Sequence, residues 1–248
     1  MRIISLVPSI TLLLCDLGLE DVLVGRTKFC IHPKEKINNI PIIGGTKNID
    51  INKIQALQPQ LIFASKEENI KEQVDALKKQ YKTIIFDICN LEDNYSMIEK
   101  IGKLTNTEKQ AQTIIQQTKH NFDVFKQNNK ASLLPALYLI WKKPYMTVGK
   151  DTFIHALLEQ LGVQNMFAHQ TRYPIIHNLQ TSYFDKCKLV FLSSEPYPFS
   201  EKHIKEFQTQ LPNAKIILVD GEFFSWYGSK MLETPTYFQQ LLEKINID

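Results

Sequence analysis

No apolar run in these 248 residues approaches the roughly 18 that a membrane span requires. A strong charge of one sign is also missing. Lys and Arg number 29 against 26 Asp and Glu, a net charge of +3, too small for a nucleic-acid surface. The densest basic spots, Lys78-Lys79 and Lys142-Lys143, are pairs rather than stripes. The four cysteines, Cys15, Cys30, Cys89 and Cys187, contain no C-x-x-C, and their spacing matches no zinc framework. Cys15 lies in an apolar helical run and reads as core filling.

Catalytic signatures are lacking as well. Ser9, Ser193 and Ser194 stand outside any G-x-S-x-G elbow. The six histidines form no H-E-x-x-H, and no carboxylate pair shows an evident acid/base role. Gly149-Lys150 is not a phosphate loop, because Asp151 replaces the Ser or Thr and Pro144 stands at the earlier glycine position. Gly44-Gly45 does not extend to G-x-G-x-x-G. The chain therefore reads as a non-enzyme with no metal ligands of its own and no intrinsic cofactor. At the N-terminus only Ile3 to Val7 run apolar before Pro8, short of a signal-peptide core. Cleavage before Cys15 would follow Leu14, which is not small, and would delete the first strand. The chain is expected to be cytoplasmic as written, in keeping with reduced thiols, and periplasmic if a signal peptide has been removed ahead of it.

What is present is alternation. Apolar, strand-like runs fall at Ile3–Val7, Gln60–Ala64, Thr83–Phe86, Pro135–Trp141, Lys188–Leu192 and Lys215–Val219. Helical patterns fall between or after them at Glu68–Lys79, Asn90–Leu104, Thr152–Leu161, Ser200–Gln210 and Thr234–Ile245. This spacing predicts βαβ units with mostly parallel sheets, their strands apolar on both faces. The 44% hydrophobic content supplies cores for two lobes of roughly 100–120 residues each. Thr107 to Lys126 interrupts the rhythm, with Ala111, Ile114, Ile115, Thr118, Phe122 and Phe125 on one helical face. About 20 helical residues span about 30 Å, enough for either a sheet-packing helix or a backbone helix joining two lobes.

Polar and aromatic residues gather at the expected strand ends. After Ile3–Val7, Pro8-Ser9 opens an apolar helix, with Ser9 at the expected N-cap. Ligands of open α/β sheets bind in that crevice. Cys30 and His32 are two soft donors, an incomplete metal site beside the reading of a packed histidine. Gly45 belongs to a tight turn that permits close backbone approach. Lys66 stands nearest the end of the second strand, whereas Glu67 and Glu68 suit a helix N-terminus. In the second half, three strands run into aromatic loops: Trp141 to Met146, Ser193 to Phe199, and Glu222 to Lys230. Arg172-Tyr173 adds a cation and a ring. Clustered this way, the rings suit a stacking site for an extended ligand.

The segments Ile4-Ser5-Leu6-Val7-Pro8-Ser9, Leu57-Gln58-Pro59-Gln60-Leu61-Ile62 and Thr147-Val148-Gly149-Lys150-Asp151, the last leading to Leu161–Phe167, carry a family resemblance across nearly the whole chain. The chain resembles the helical-backbone metal and cobalamin receptors, the class III periplasmic-binding-type proteins that bind cobalamin and iron chelates for ABC transporters. The resemblance implies two Rossmann-like α/β lobes of the chelatase-like type, residues 1–105 and 130–248, joined by one long backbone helix in 106–129. It implies non-catalytic binding of a corrinoid or metal chelate, of cobalamin, haem or iron-siderophore type, in an inter-lobe cleft. Trp141, Tyr145, Arg172, Tyr173, Phe223 and Trp226 are its cleft candidates, facing Ser9, Gly45 and Lys66. Two alternatives stand beside this reading: a transport receptor that has lost its export signal, and a cofactor-processing enzyme on the same fold. An ABC permease is the candidate partner. The positions of the family's docking glutamates fall near Lys71, beside Glu72, and Ser225, and Leu12 stands where the family often has Glu. Nucleic acid and membrane insertion are not expected.

Overall fold

The computed structural model describes residues 1–130 and 133–246. Residues 131–132 and 247–248, within the expected second lobe at 130–248, lie outside that description. The chain divides into two compact units. The first comprises Met1–Ile88, Glu92–Thr118 and Tyr227–Met231; the second comprises Cys89–Leu91, Lys119–Trp226 and Leu232–Asp248.

The first unit opens with β1 (Ile3–Ser5), α1 (Pro8–Asp16) and β2 (Leu23–Arg26), followed by α2 (Lys34–Ile37) and α3 (Ile51–Leu57). It continues through β3 (Leu61–Ser65), α4 (Lys71–Lys78), β4 (Thr83–Phe86) and α5 (Leu91–Thr105). The strands pair in parallel in the order β2-β1-β3-β4. Ile3, Ile4, Ile62 and Phe63 are fully buried, as helix-covered parallel strands require. The opening helix starts two residues earlier than expected. Val7 is the N-cap and Pro8 the first helical residue, so Ser9 lies inside the helix. Proline's fixed φ and missing N–H suit that first position, and this displaces the expected serine cap. Strand β2 was not legible in the sequence. It is four residues long, and its Arg26 is buried with Nε donating to Ile37 O and Nη1 to Cys30 O.

The long amphipathic run forms α6 (Glu108–Asn128). Its first half belongs to the first unit and its residues from Lys119 to the second. Near its start α5 and α6 touch closely: a Cβ on Gly102 would lie 2.7 Å from that of Ala111. Near its end Phe122 and Phe125 meet Phe238 edge-on, with centroids 6.5 and 5.9 Å away.

The second unit contains β5 (Pro135–Leu139), β6 (Tyr145–Met146), α7 (Phe153–Leu161), β7 (Gln164–Asn165) and β8 (Ile175–Ile176). After these come β9 (Leu189–Ser193), α8 (Glu201–Gln210), β10 (Lys215–Val219), α9 (Glu222–Ser225) and α10 (Thr234–Asn246). The parallel order is β10-β9-β5-β7, and β6 and β8 form a separate antiparallel pair. Its core joins Leu137, Leu139, Val190 and Leu192 of the sheet to Phe199, Phe207 and Leu211. Each large apolar side chain buried this way contributes roughly 1.5–3 kcal/mol. Both sheets reverse their strand order at one place, between β1 and β3 in the first unit and between β5 and β9 in the second. Beyond the carboxyl ends of such strands an open α/β sheet leaves a crevice for ligands.

Candidate functional site

At the switch point of the first unit, Asn69 gathers three loops. It is 7% exposed. Its Oδ1 accepts from Ser65 N at 2.8 Å, and its Nδ2 donates to Leu6 O and Thr46 O at 3.2 and 3.0 Å. The loops after β1 and β3 and the glycine turn are thereby fixed to one another. Ser9 is almost fully buried here. Its hydroxyl and that of Ser65 face the buried phenol of Tyr227, whose pKa is pushed up chiefly by that burial. Lys66 is exposed and pairs with Asp87 at 2.5 Å.

Gly45 lines a pocket of about 480 Å³ with Lys28, Phe29 and Lys47. A Cβ at Gly45 would come within 3.2 Å of the Phe29 ring and 3.5 Å of Lys28 Cε, so the glycine lets both lie across the turn. Phe29 is 50% exposed beneath the Lys28 ammonium, 5.1 Å from its centroid. The expected soft pair does not converge. Cys30 is fully buried, its sulfur met by Thr11 and Thr27 hydroxyls at 3.0 and 3.2 Å, while His32 is exposed. Burial raises the Cys30 pKa, which keeps the thiol protonated. No group of three or more His, Cys, Asp or Glu among the described residues has the geometry for a metal ion.

The second unit's switch point carries aromatics. Trp141 follows β5, Tyr197 follows β9, and Tyr197 N donates to Ile140 O. Their rings meet edge-on at 5.7 Å, and Trp141 is 40% exposed. Tyr145 turns the other way. Its ring packs on Phe207 at 5.4 Å, and its hydroxyl lies between Glu206 and Gln210. Period-two alternation explains this: Tyr145 pairs with the buried Ile176, facing the core, while Met146 pairs with Ile175 on the opposite face.

Arg172 is exposed in the left-handed region at φ 56°, where its backbone N donates to Asp151 Oδ1 and its carbonyl accepts from Gly149 N. Its guanidinium lies 5.8 Å from the centroid of the Tyr173 ring. Phe223 is half-buried and stacks flat on Tyr237 at 4.2 Å. Trp226 is 6% exposed. It hydrogen-bonds with Glu195, whose Oε1 also accepts from Ser225 Oγ at 2.5 Å. Burial raises the Glu195 pKa, opposed by the Ser225 hydrogen bond and reinforced by Glu222 and Asp220. Of the nine residues singled out in the sequence, Trp141 and Arg172 are exposed and Tyr173 is half-buried, whereas Tyr145 and Trp226 point into packed or bonded surroundings. Asn69 and Glu195 were visible only as members of loops, because nothing local reveals partners distant in sequence, Leu6 O and Thr46 O for Asn69 and Ser225 and Trp226 for Glu195.

Among the described residues no helix is long and apolar enough to cross a membrane. An uncharacterized ABC transporter substrate-binding lipoprotein of Bacillus subtilis is 28% identical over 190 residues, covering 68% of this chain and 56% of that protein. A vitamin B12-binding protein of Vibrio parahaemolyticus is 25% identical over 170 residues, covering 68% and 62%. The chain thus spans less than two thirds of these relatives' length. Among solved structures, the periplasmic vitamin B12 binding protein of Vibrio cholerae superposes with a TM-score of 0.81 at 20% identity, covering 100% of this chain and 98% of that one. The periplasmic heme binding protein of the same organism gives 0.83 at 19% identity, covering 98% of each. The fold they share is the α/β class with parallel sheets and a long helix expected from the sequence. A family model described as periplasmic binding protein matches residues 3–195, and this chain belongs to that family.

Proposed function

We propose that this chain binds a corrinoid or metal chelate, of cobalamin, haem or iron-siderophore type, without transforming it. The observation that carries the reading is the exposed Trp141 beyond the carboxyl end of β5 at the second unit's switch point, with the Arg172–Tyr173 pair on the segment leading into the β6–β8 ribbon that Trp141 adjoins. Rings and one cation suit a conjugated chelate better than a small polar solute. Relatives named for vitamin B12 binding support the same ligand class. Within the first unit, Gly45 and Lys66 are the candidate contact residues.

The Bacillus relative's name supports delivery of the ligand to an ABC permease from outside the cytoplasmic membrane. Glu72, exposed in the first turn of α4, is the docking carboxylate available near Lys71. Ser225 offers none, and its hydroxyl is engaged by Glu195. The test is an absorbance titration with cyanocobalamin, ferric protoporphyrin IX and a ferric catecholate, each ligand being recovered afterwards for mass analysis. One of them is expected to bind, to return unchanged, and to stabilise the fold by about 2.7 kcal/mol at a hundredfold excess over Kd. Absence of binding to all three overturns the proposal, and a chemically altered ligand replaces it with the enzyme reading.

A further inference from the structure

The small antiparallel ribbon beyond β5 has two dissimilar faces. Its inner face, Tyr145 and Ile176, belongs with the core around Phe207. Its outer face places Met146 opposite Ile175, and Met146 also bridges Trp141 on the preceding strand. Ile140 N donates to Met146 O while Met146 N donates to Trp141 O. Two residues of one strand thus oppose one of its neighbour, an irregularity that re-aims side chains. Trp141 is 40% and Ile175 49% exposed, and Met146 is half-buried. Two strand spacings make this apolar row roughly 10 Å wide, about the width of a fused or macrocyclic ring system.

Just before β8 stand Arg172 and the half-buried Tyr173, the Arg172 guanidinium lying over the Tyr173 ring. The backbone there is held against the neighbouring strand by Thr147 N to Pro174 O and Gly149 N to Arg172 O. A fixed apolar floor thus ends in a cation, and Trp141 begins it at the strand-order switch point. A flat ring with a negatively charged edge is complementary to that sequence of surfaces.

Resting on the function proposed above, we infer that Trp141, Met146 and Ile175 form the seat for the flat face of a planar anionic chelate of the metalloporphyrin class, with Tyr173 and Arg172 at its charged edge. Met146 and Ile175 are then specificity-determining residues that the aromatic pattern of the sequence does not disclose. The seat contacts the ring rather than the metal.

The test titrates the full chain with ferric protoporphyrin IX, metal-free protoporphyrin IX and cyanocobalamin. Met146→Asp and Ile175→Asp are each expected to weaken ferric protoporphyrin binding at least tenfold, while Val124→Asp, on α6, leaves it within twofold. Ile175→Thr, a milder change at an exposed position, should weaken it about threefold and preserve the melting temperature. Metal-free protoporphyrin should bind within tenfold of the ferric form. If the wild-type chain binds ferric protoporphyrin and the Ile175 and Met146 variants match it, the seat is elsewhere. If it binds cyanocobalamin alone, the seat is overturned and the broader function stands. If it binds neither these probes nor a ferric catecholate, both fall.

Discussion

Glu195 shows how one side chain can be read twice, as a strand-end acid and as a partly desolvated carboxyl. Its Oε1 accepts from Ser225 Oγ, Trp226 hydrogen-bonds to it, and burial with Glu222 and Asp220 nearby raises its pKa above the ordinary 4.5. The folded chain therefore holds this proton more tightly than the unfolded chain. Stability from Glu195 is complete below the ordinary value and is lost as pH rises through the raised one. Glu195→Gln removes that titration and keeps an acceptor for Ser225. Its melting temperature relative to wild type is expected to be lowest at pH 4 and to climb between pH 4 and 7. A series of melts across that range checks the slope, and a variant-minus-wild-type difference that stays flat or falls as pH rises contradicts it. At this scale residue type predicted little. Trp141 and Trp226 read alike in the sequence, yet one is 40% and the other 6% exposed. Tyr145 and Met146 are adjacent, yet alternation sends only the tyrosine to the core.

Elements were more legible than residues, because their signal is repeated. The runs at Thr83–Phe86 and Lys215–Val219 became strands with those same ends, and Thr107–Lys126 became α6 with small shifts. The pairs β6, β7 and β8, two residues each, carry no period to detect. The ribbon that β6 and β8 build depends on Gly149. A Cβ there would stand 2.6 Å from Gln170 O and 2.7 Å from Thr171 Cα, backbone atoms that move only if the whole 168–176 loop moves. Gly149→Ala is expected to cost about 1–3 kcal/mol of stability and to weaken chelate binding about tenfold through displaced Arg172, Tyr173 and Ile175. Urea denaturation and absorbance titration measure the two effects. Wild-type values in both would show that the loop accommodates the methyl group.

At the scale of the whole molecule, Tyr227–Met231 lies late in the sequence but belongs to the first unit. Gly228, at φ 80°, donates its N–H to Asn94 Oδ1 at 2.6 Å, and Ser229 Oγ bonds Asp16. Asn94 is fully buried, so Asn94→Ala strands a buried N–H at a cost of about 1–3 kcal/mol. Asn94→Asp retains an acceptor and is expected to cost less than Asn94→Ala. Urea midpoints of the two variants check this order, and an unchanged Asn94→Ala midpoint rejects it. By itself the sequence determined the α/β class, the parallel strands, the long helix and the placing of aromatic loops at strand ends. Each of these follows from local periodicity, and apolar runs of fixed spacing have few ways to hide from water. Only the tertiary structure decided that Val7 rather than Ser9 caps the opening helix, that Asn69 ties three loops, and that Cys30 and His32 diverge. It also decided that Met146 and Ile175 join Trp141 on one face. Such pairings depend on register and on partners far apart along the chain, and no local pattern of residue types encodes the direction in which a side chain finally points.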